Sequence, residues 1–233
     1  MRVLDIWTIA GQHPHPAAPL ITWISADDGA RIELSTSTAL NHMAKIANAC
    51  ADELDIEAGT PVFVDISWHW QLPVWLGGLW AAGAHVVTDV RTAEVVITDE
   101  ARARVHSTFK PCYAVSLHPF GLDITSPLPT TCMDATQIVR TQPDALMFPR
   151  NFSAALALDE RDQHHFIQSS QGLVEAHSIA PAARILAPAT SVAADQQFLV
   201  ALPLPLSCQG SLVMCERADE TLIESERVTH VWA

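Results

Sequence analysis

Apolar positions recur at helical spacing through residues 39–54, and this is the clearest amphipathic pattern in the chain. The apolar side is formed by Leu40, Met43, Ile46, Ala47, Cys50 and Leu54. Ser35, Ser37 or Thr38 can cap the helix, because their hydroxyls accept from unpaired N–H groups of the first turn. Asn41, Lys45, Asn48 and Asp52 lie elsewhere around it. The pattern predicts an amphipathic helix packed on a core.

A β-hairpin is predicted before this helix. Residues 20–24 form a short apolar run, residues 27–29 read Asp-Asp-Gly, and residues 31–34 alternate polar and apolar. Alternation with period two is typical of a half-buried strand, and Asp-Gly favours a tight turn.

A strand–helix–strand unit follows. Residues 62–66 predict a buried strand, and residues 70–82 predict a nearly all-apolar helix that Gly83 ends with a left-handed cap. Residues 85–88 and 94–98 predict two further strands. Short strands alternating with helices indicate a parallel sheet. The uncharged stretch 66–88 is long enough to cross a bilayer, but it divides at Gly83 and is interpreted as a buried helix and strand. Its tryptophans are interpreted as core residues.

The second half carries weaker patterns. They predict strands at 112–117, 145–148, 196–202, 211–215 and 228–232, and helices at 134–140, 159–177 and 219–227. The proline-rich residues 118–131 predict a surface loop. The fold class expected from these elements is α/β, with mainly parallel sheets flanked by helices.

Charge and cysteine content limit the partners and the compartment. The chain has 13 basic and 26 acidic residues, a formal charge of −13. Such an excess disfavours nucleic acids and anionic membrane surfaces. The five cysteines are widely spaced, so neither a disulfide framework nor a zinc site is expected. We interpret them as buried thiols in a reducing compartment, which together with the short N-terminal apolar stretch predicts a cytoplasmic protein.

Four stretches resemble the N-terminal region of the AMP-binding, acyl-adenylating enzymes, which include acyl-CoA synthetases. They are the strand at 31–34 with the helix through 45–48, the turn into a strand at 55–62, the small-residue helix end at 76–87, and the final strand at 226–232. The chain also resembles a short actinobacterial family of such proteins. The resemblance implies one acyl-CoA-synthetase-like domain over residues 1–233, with subdomains near 20–118 and 132–233. It also implies that the C-terminal lid domain with its catalytic lysine is absent.

The residues that perform adenylation in this family are missing at the matching positions. The family's phosphate loop, rich in glycine, serine and threonine, corresponds to residues 144–155, which contain no glycine and no lysine. Pro149 also removes an N–H donor where donors are needed. The family's proline- and histidine-containing strand–turn corresponds to residues 203–210, where no histidine is present. No catalytic residue, metal site or cofactor is therefore predicted; the alternative cofactor is ATP or AMP with magnesium.

A ligand site is predicted only by position. In open α/β sheets, ligands bind at the carboxyl ends of the strands. We place an anion site there, with Arg150, Asn151 and Ser153 on one side. Ser207, Gln209 and Gly210 face them in this prediction. His13 with His15, and the adjacent His164 and His165, are interpreted as ordinary surface or half-buried histidines.

The predicted function is a degenerate adenylating-enzyme-like domain, non-catalytic alone, that binds a nucleotide, an acyl-type small molecule or a protein partner. One alternative is a minimal ATP-dependent acid ligase with an altered phosphate loop. Another is a structural or oligomeric subunit, for which the apolar 66–88 region would supply the interface.

Overall fold

The computed structural model describes residues 5–109 and 111–233. The helices are α1 (Ile6–Gly11), α2 (Thr36–Asp52), α3 (Gln71–Ala82), α4 (Ala135–Arg140), α5 (Gln163–Ala176), α6 (Gln197–Ala201), α7 (Pro203–Ser207) and α8 (Glu220–Ser225). The strands are β1 (Pro19–Ile24), β2 (Arg31–Ser35), β3 (Pro61–Asp65), β4 (His85–Val87), β5 (Val95–Asp99), β6 (Cys112–Val115), β7 (Cys132–Asp134), β8 (Leu156–Leu158), β9 (Arg161–Asp162), β10 (Arg184–Pro188), β11 (Ser211–Cys215) and β12 (His230–Val231). No helix in the described part of the chain is long and apolar enough to cross a membrane.

The strands form two sheets. The five-stranded sheet has the order β12-β10-β11-β1-β2, and the seven-stranded sheet has the order β7-β6-β5-β3-β4-β8-β9. All neighbouring pairs are parallel except β1–β2 and β8–β9. The predicted α/β class, the hairpin and the parallel strand–helix–strand unit are confirmed. Each sheet takes strands from both predicted subdomains, so the sheets do not follow that boundary, and the division at 118–132 stays a prediction.

Helices α2 and α3 pack closely because two glycines face α2. A Cβ at Gly78 would lie 2.5 Å from the Ile46 Cβ, and one at Gly77 would lie 2.6 Å from the Met43 sulfur. Ser35 caps α2 by accepting from the Thr38 N–H at 3.1 Å. Gly83 ends α3 at φ +82°, a left-handed conformation that glycine adopts without strain. These features confirm the two helices and their predicted ends.

The tryptophans of the 66–88 region belong to the core, as predicted. Trp70, Trp75 and Trp80 are buried, and Trp68 packs against the same cluster. The Trp80 indole donates to the Ala157 carbonyl of the seven-stranded sheet at 2.8 Å, and the Trp68 indole donates to the Ala187 carbonyl of the five-stranded sheet at 2.9 Å. Indole rings are most stable in a core when the N–H has such a partner.

Several predicted elements are wrong. Residues 196–202 form a helix instead of a strand, because a short apolar run does not distinguish the two. Residues 145–148 are not a strand; their backbone is held by a side chain of α2 instead of a neighbouring strand. Residues 203–210 contain helix α7, with Pro203 in its first turn, where a missing N–H costs nothing. Strand β10 was not predicted, although it is an internal strand of its sheet, between β12 and β11.

The cysteine prediction is also wrong for one pair. Cys112 and Cys132 are joined by a disulfide, with their Cα atoms 4.7 Å apart. They are register partners on the adjacent strands β6 and β7. Their separation of 20 residues in sequence concealed this proximity. Cys50, Cys208 and Cys215 are free and buried, as expected for small core residues.

Candidate functional site

The six predicted site residues fall into two groups, and two residues of each group line a separate cavity. Arg150 and Asn151 line a cavity beside α1, whereas Gln209 and Gly210 line one with Arg184. Both groups precede a strand, β8 and β11 respectively, so they lie toward amino ends of strands. The expectation that they lie at carboxyl ends is wrong, because it took residues 203–210 for a strand followed by a turn. Whether either group binds a ligand stays a prediction.

Local structure accounts for the residue types at 207–210. The Ser207 hydroxyl lies 2.5 Å from the Ser170 hydroxyl of α5. Gln209 has φ +53°, the left-handed region. Gly210 passes so close to the preceding loop that a Cβ there would lie 2.1 Å from the Ala183 carbonyl oxygen. This contact requires glycine and explains its presence without a ligand.

The segment 144–155, which the sequence resemblance aligns with the family's phosphate loop, is held against α2 by the buried side-chain amide of Asn48. Asn48 donates from Nδ2 to the Pro143 carbonyl at 3.1 Å and to the Ala145 carbonyl at 2.9 Å. Its Oδ1 accepts from the Met147 N–H at 3.1 Å. Asn48 is only 3% exposed. An ion pair of 2.9 Å between Lys45 and Asp144 also holds the segment against α2.

The other end of the segment is held by α1. The Phe152 N–H donates to Asp5 Oδ2 at 3.0 Å, while Asp5 Oδ1 accepts from the Thr8 N–H at 2.8 Å and caps the helix. Asp5 is 2% exposed. The Ser153 N–H donates to Asn151 Oδ1 at 3.1 Å, and the Ala155 N–H donates to the Phe152 carbonyl at 2.8 Å. The N–H groups of Met147, Phe152, Ser153 and Ala155 are therefore paired within the protein.

Between the Asn48–Met147 and Asp5–Phe152 hydrogen bonds, alternate residues of the segment line two different cavities. Phe148 and Phe152 line one of about 450 Å³, together with residues of α2 and α3. Pro149 and Asn151 line another, beside Trp7 and Gly11 of the N-terminal region. Arg150 borders both.

A polar cleft lies where the carboxyl ends of the two sheets approach each other. It has a volume of about 260 Å³ and is lined by Asp65 at the end of β3, Ser67 after it, Arg102, and Ala189 after β10. Buried Asp99, at the end of β5, accepts from the Ser67 hydroxyl at 2.7 Å and from the Arg102 N–H at 2.9 Å.

A second acid borders the same cleft. Asp65 contacts His106 Nε2 at 2.8 Å and Arg102 Nη1 at 3.5 Å. The polar groups at this edge are thus paired mainly with one another. Asp99 also caps the turns that follow β5 through its bond to the Arg102 N–H.

Comparison with known proteins places the chain in a family. No protein-family model matches it. A curated protein of Mycobacterium tuberculosis (strain ATCC 25618 / H37Rv), described as a TIGR03089 family protein, is 30% identical over 227 residues, covering 93% of this chain and 92% of that protein. The chain belongs to this family.

Solved structures of acyl-CoA synthetases and related ligases share the fold of this TIGR03089 family member. An acyl-CoA synthetase of Brucella canis has a TM-score of 0.78 at 15% identity, over 98% of this chain and 47% of that one. Apo MatB of Rhodopseudomonas palustris has a TM-score of 0.68 at 14% identity, over 97% and 48%. The chain spans about half the length of these structures. The resemblance seen in sequence is confirmed for the fold.

Sequence reasoning missed Asp5, Asn48, Asp65 and His106. Asn48 offered a signal, since an asparagine inside a long helix requires a partner when it is buried. The helical pattern placed it away from the apolar positions, and the covering segment 143–147 lies about a hundred residues further along the chain. Asp5, Asp65 and His106 were missed because their partners are equally distant in the sequence or lie on separate elements.

Proposed function

We propose that this TIGR03089 family member is a non-adenylating domain of the acyl-CoA synthetase fold, which binds a small molecule without activating it with ATP. The observation that carries the proposal is the internal pairing of the segment 144–155. A phosphate cradle needs several free backbone N–H groups aimed at one point. Here the N–H groups of Met147 and Phe152 already have side-chain acceptors. Pro149 has no N–H group to donate.

The charge of one acceptor also disfavours a nucleotide. The carboxylate of Asp5 already accepts from the Phe152 N–H, so a phosphate oxygen would have to displace it to bind this donor. Two anions would then compete for one donor in a buried environment, where like charges repel strongly. The residues of this segment therefore do not fit ATP or AMP, and we propose no role for them in adenylation.

The experiment is a thermal-shift titration with ATP and with AMP, each with and without magnesium, paired with a pyrophosphate-release assay on a panel of carboxylic acids. A ligand that binds only the folded state raises the melting temperature as its concentration passes the Kd. We expect no shift and no pyrophosphate. Release that depends on both ATP and an acid would overturn the proposal and support the minimal ligase.

The proposal keeps the predicted cytoplasmic location and the absence of nucleic-acid binding. The formal charge of −13 supports the second of these, because a polyanion repels phosphate backbones. Cell fractionation and a DNA-retention assay at low salt test them. Recovery in the extracytoplasmic fraction, or retention on DNA, would contradict them.

A further inference from the structure

The cavity of about 450 Å³ beneath the segment 148–152 has the composition of a ligand pocket. Eight of its eleven lining residues are apolar, and five of these are alanines. The lining residues are Ala47, Asn48, Ala51, Ile56, Glu57, Ala58, Ala81, Ala82, Phe148, Arg150 and Phe152. Pockets for small molecules combine such a wall with a few polar groups that fix orientation.

Arg150 is the single cation among these lining residues. Among the described residues it has no hydrogen-bond or ion-pair partner, although the chain carries 26 acidic side chains. The other polar groups are less suited to hold a ligand: the Asn48 amide is already paired with the backbone of 143–147. Glu57 carries a negative charge at the same cavity.

The wall that bears Arg150 is held in place at both ends. Met147 is bonded to Asn48 on one side, and Phe152 is bonded to Asp5 on the other. The Phe152 ring also packs against the end of α3, where a Cβ at Gly83 would lie 2.6 Å from it. A short segment fixed at two points positions its side chains before a ligand arrives, which lowers the entropic cost of binding.

We propose that this cavity binds a small carboxylate with an apolar body, whose head group pairs with Arg150 and whose body contacts the alanines and the two phenylalanines. A guanidinium and a carboxylate form two parallel charge-assisted hydrogen bonds. A doubly charged phosphate fits less well, because the cavity offers one cation and also exposes Glu57. This inference deepens the proposed function, on which it rests, by assigning the ligand class and the cavity.

The test is calorimetric titration of the full chain with hexanoate and with benzoate, using hexylamine and inorganic phosphate as comparison probes. Two variants address the two halves of the site. Arg150→Gln removes the charge, and Ala51→Phe fills the apolar part from an exposed helical position. Arg104→Gln, an exposed arginine outside this cavity, is the matched control.

We expect at least one of the two acids to bind, the amine and phosphate to bind no more than marginally, and Arg150→Gln to weaken the acid about tenfold or more. Ala51→Phe should abolish binding without changing the melting temperature, and Arg104→Gln should bind as the parent does. Equal binding by Arg150→Gln, or no heat from either acid up to about 10 mM, overturns the inference. Pyrophosphate release with ATP and the same acids would instead overturn the proposed function, so the two failures are distinguishable.

Discussion

The backbone N–H of Phe152 donates a hydrogen bond of 3.0 Å to the carboxylate of Asp5, a residue 147 positions earlier in the chain. The other oxygen of the same carboxylate caps α1 by accepting from the Thr8 N–H. One buried acid thus fixes both the start of the first helix and the backbone of the segment 144–155 at Phe152.

Replacing this acid should destabilise the fold. Asp5→Ala removes a helix cap and leaves a buried N–H unpaired, and we expect a loss of about 1–3 kcal/mol in the free energy of unfolding. Urea denaturation monitored by tryptophan fluorescence measures it. The exposed Asp27→Ala serves as the control. A loss no larger than that of the control would contradict the role assigned to Asp5.

The close approach of α2 and α3 predicts a second large effect. In Gly78→Ala, the added methyl group would meet Ile46, a buried residue of α2, at 2.5 Å. Extra volume in a packed core costs about 1–3 kcal/mol. The exposed helical Gly172→Ala, where nothing lies within 4 Å of the new Cβ, should instead be neutral or slightly stabilising. Thermal unfolding measures the change in stability of both variants. An equal loss in Gly78→Ala and Gly172→Ala would refute the packing argument.

His69 should make stability depend on pH. Burial lowers the pKa of His69 from its ordinary value of 6.5 to about 3. As pH falls below 6.5, the unfolded chain takes up a proton that the folded chain does not, so stability present above 6.5 is lost progressively toward pH 3. The slope from one group is at most about 1.4 kcal/mol per pH unit.

His69→Asn should remove this contribution. Urea midpoints measured for the variant and the parent between pH 7 and pH 4.5 should differ least at the acid end, since other groups titrate equally in both. His164→Asn, which alters a partly exposed histidine, is the control. If the His69→Asn and parent curves remain parallel over this range, the buried neutral histidine is not the source.

The Cys112–Cys132 disulfide predicts a definite thiol count. Alkylation of the denatured chain without reductant should modify Cys50, Cys208 and Cys215 only, and reduction should release the remaining pair. Cys132→Ser should lower stability by up to about 3 kcal/mol, because the link closes a loop of 20 residues. Mass spectrometry measures the number of alkylated cysteines. Five alkylated cysteines before reduction would show that the pair is reduced in the isolated protein.

The sequence by itself determined the elements whose periodicity is regular and whose ends carry strong local signals. Helix α2 has a helical apolar pattern and Ser35 as its cap, and α3 ends at Gly83, which alone can take the left-handed conformation there without strain. The order of strand, helix and strand in this region was enough to indicate a parallel sheet. The absence of glycine and lysine from residues 144–155 was also visible, since it depends on residue types within one segment.

The tertiary structure decided what depends on contacts between distant residues. Whether residues 197–201 are helix or strand depended on their packing beside α7, because a short apolar run satisfies either period. The bonds from Asp5 to Phe152 and from Asn48 to the 143–147 backbone join positions about a hundred or more residues apart. Local sequence carries no record of such pairing, so it was the fold that separated the predicted site residues and enclosed the cavity beside Arg150.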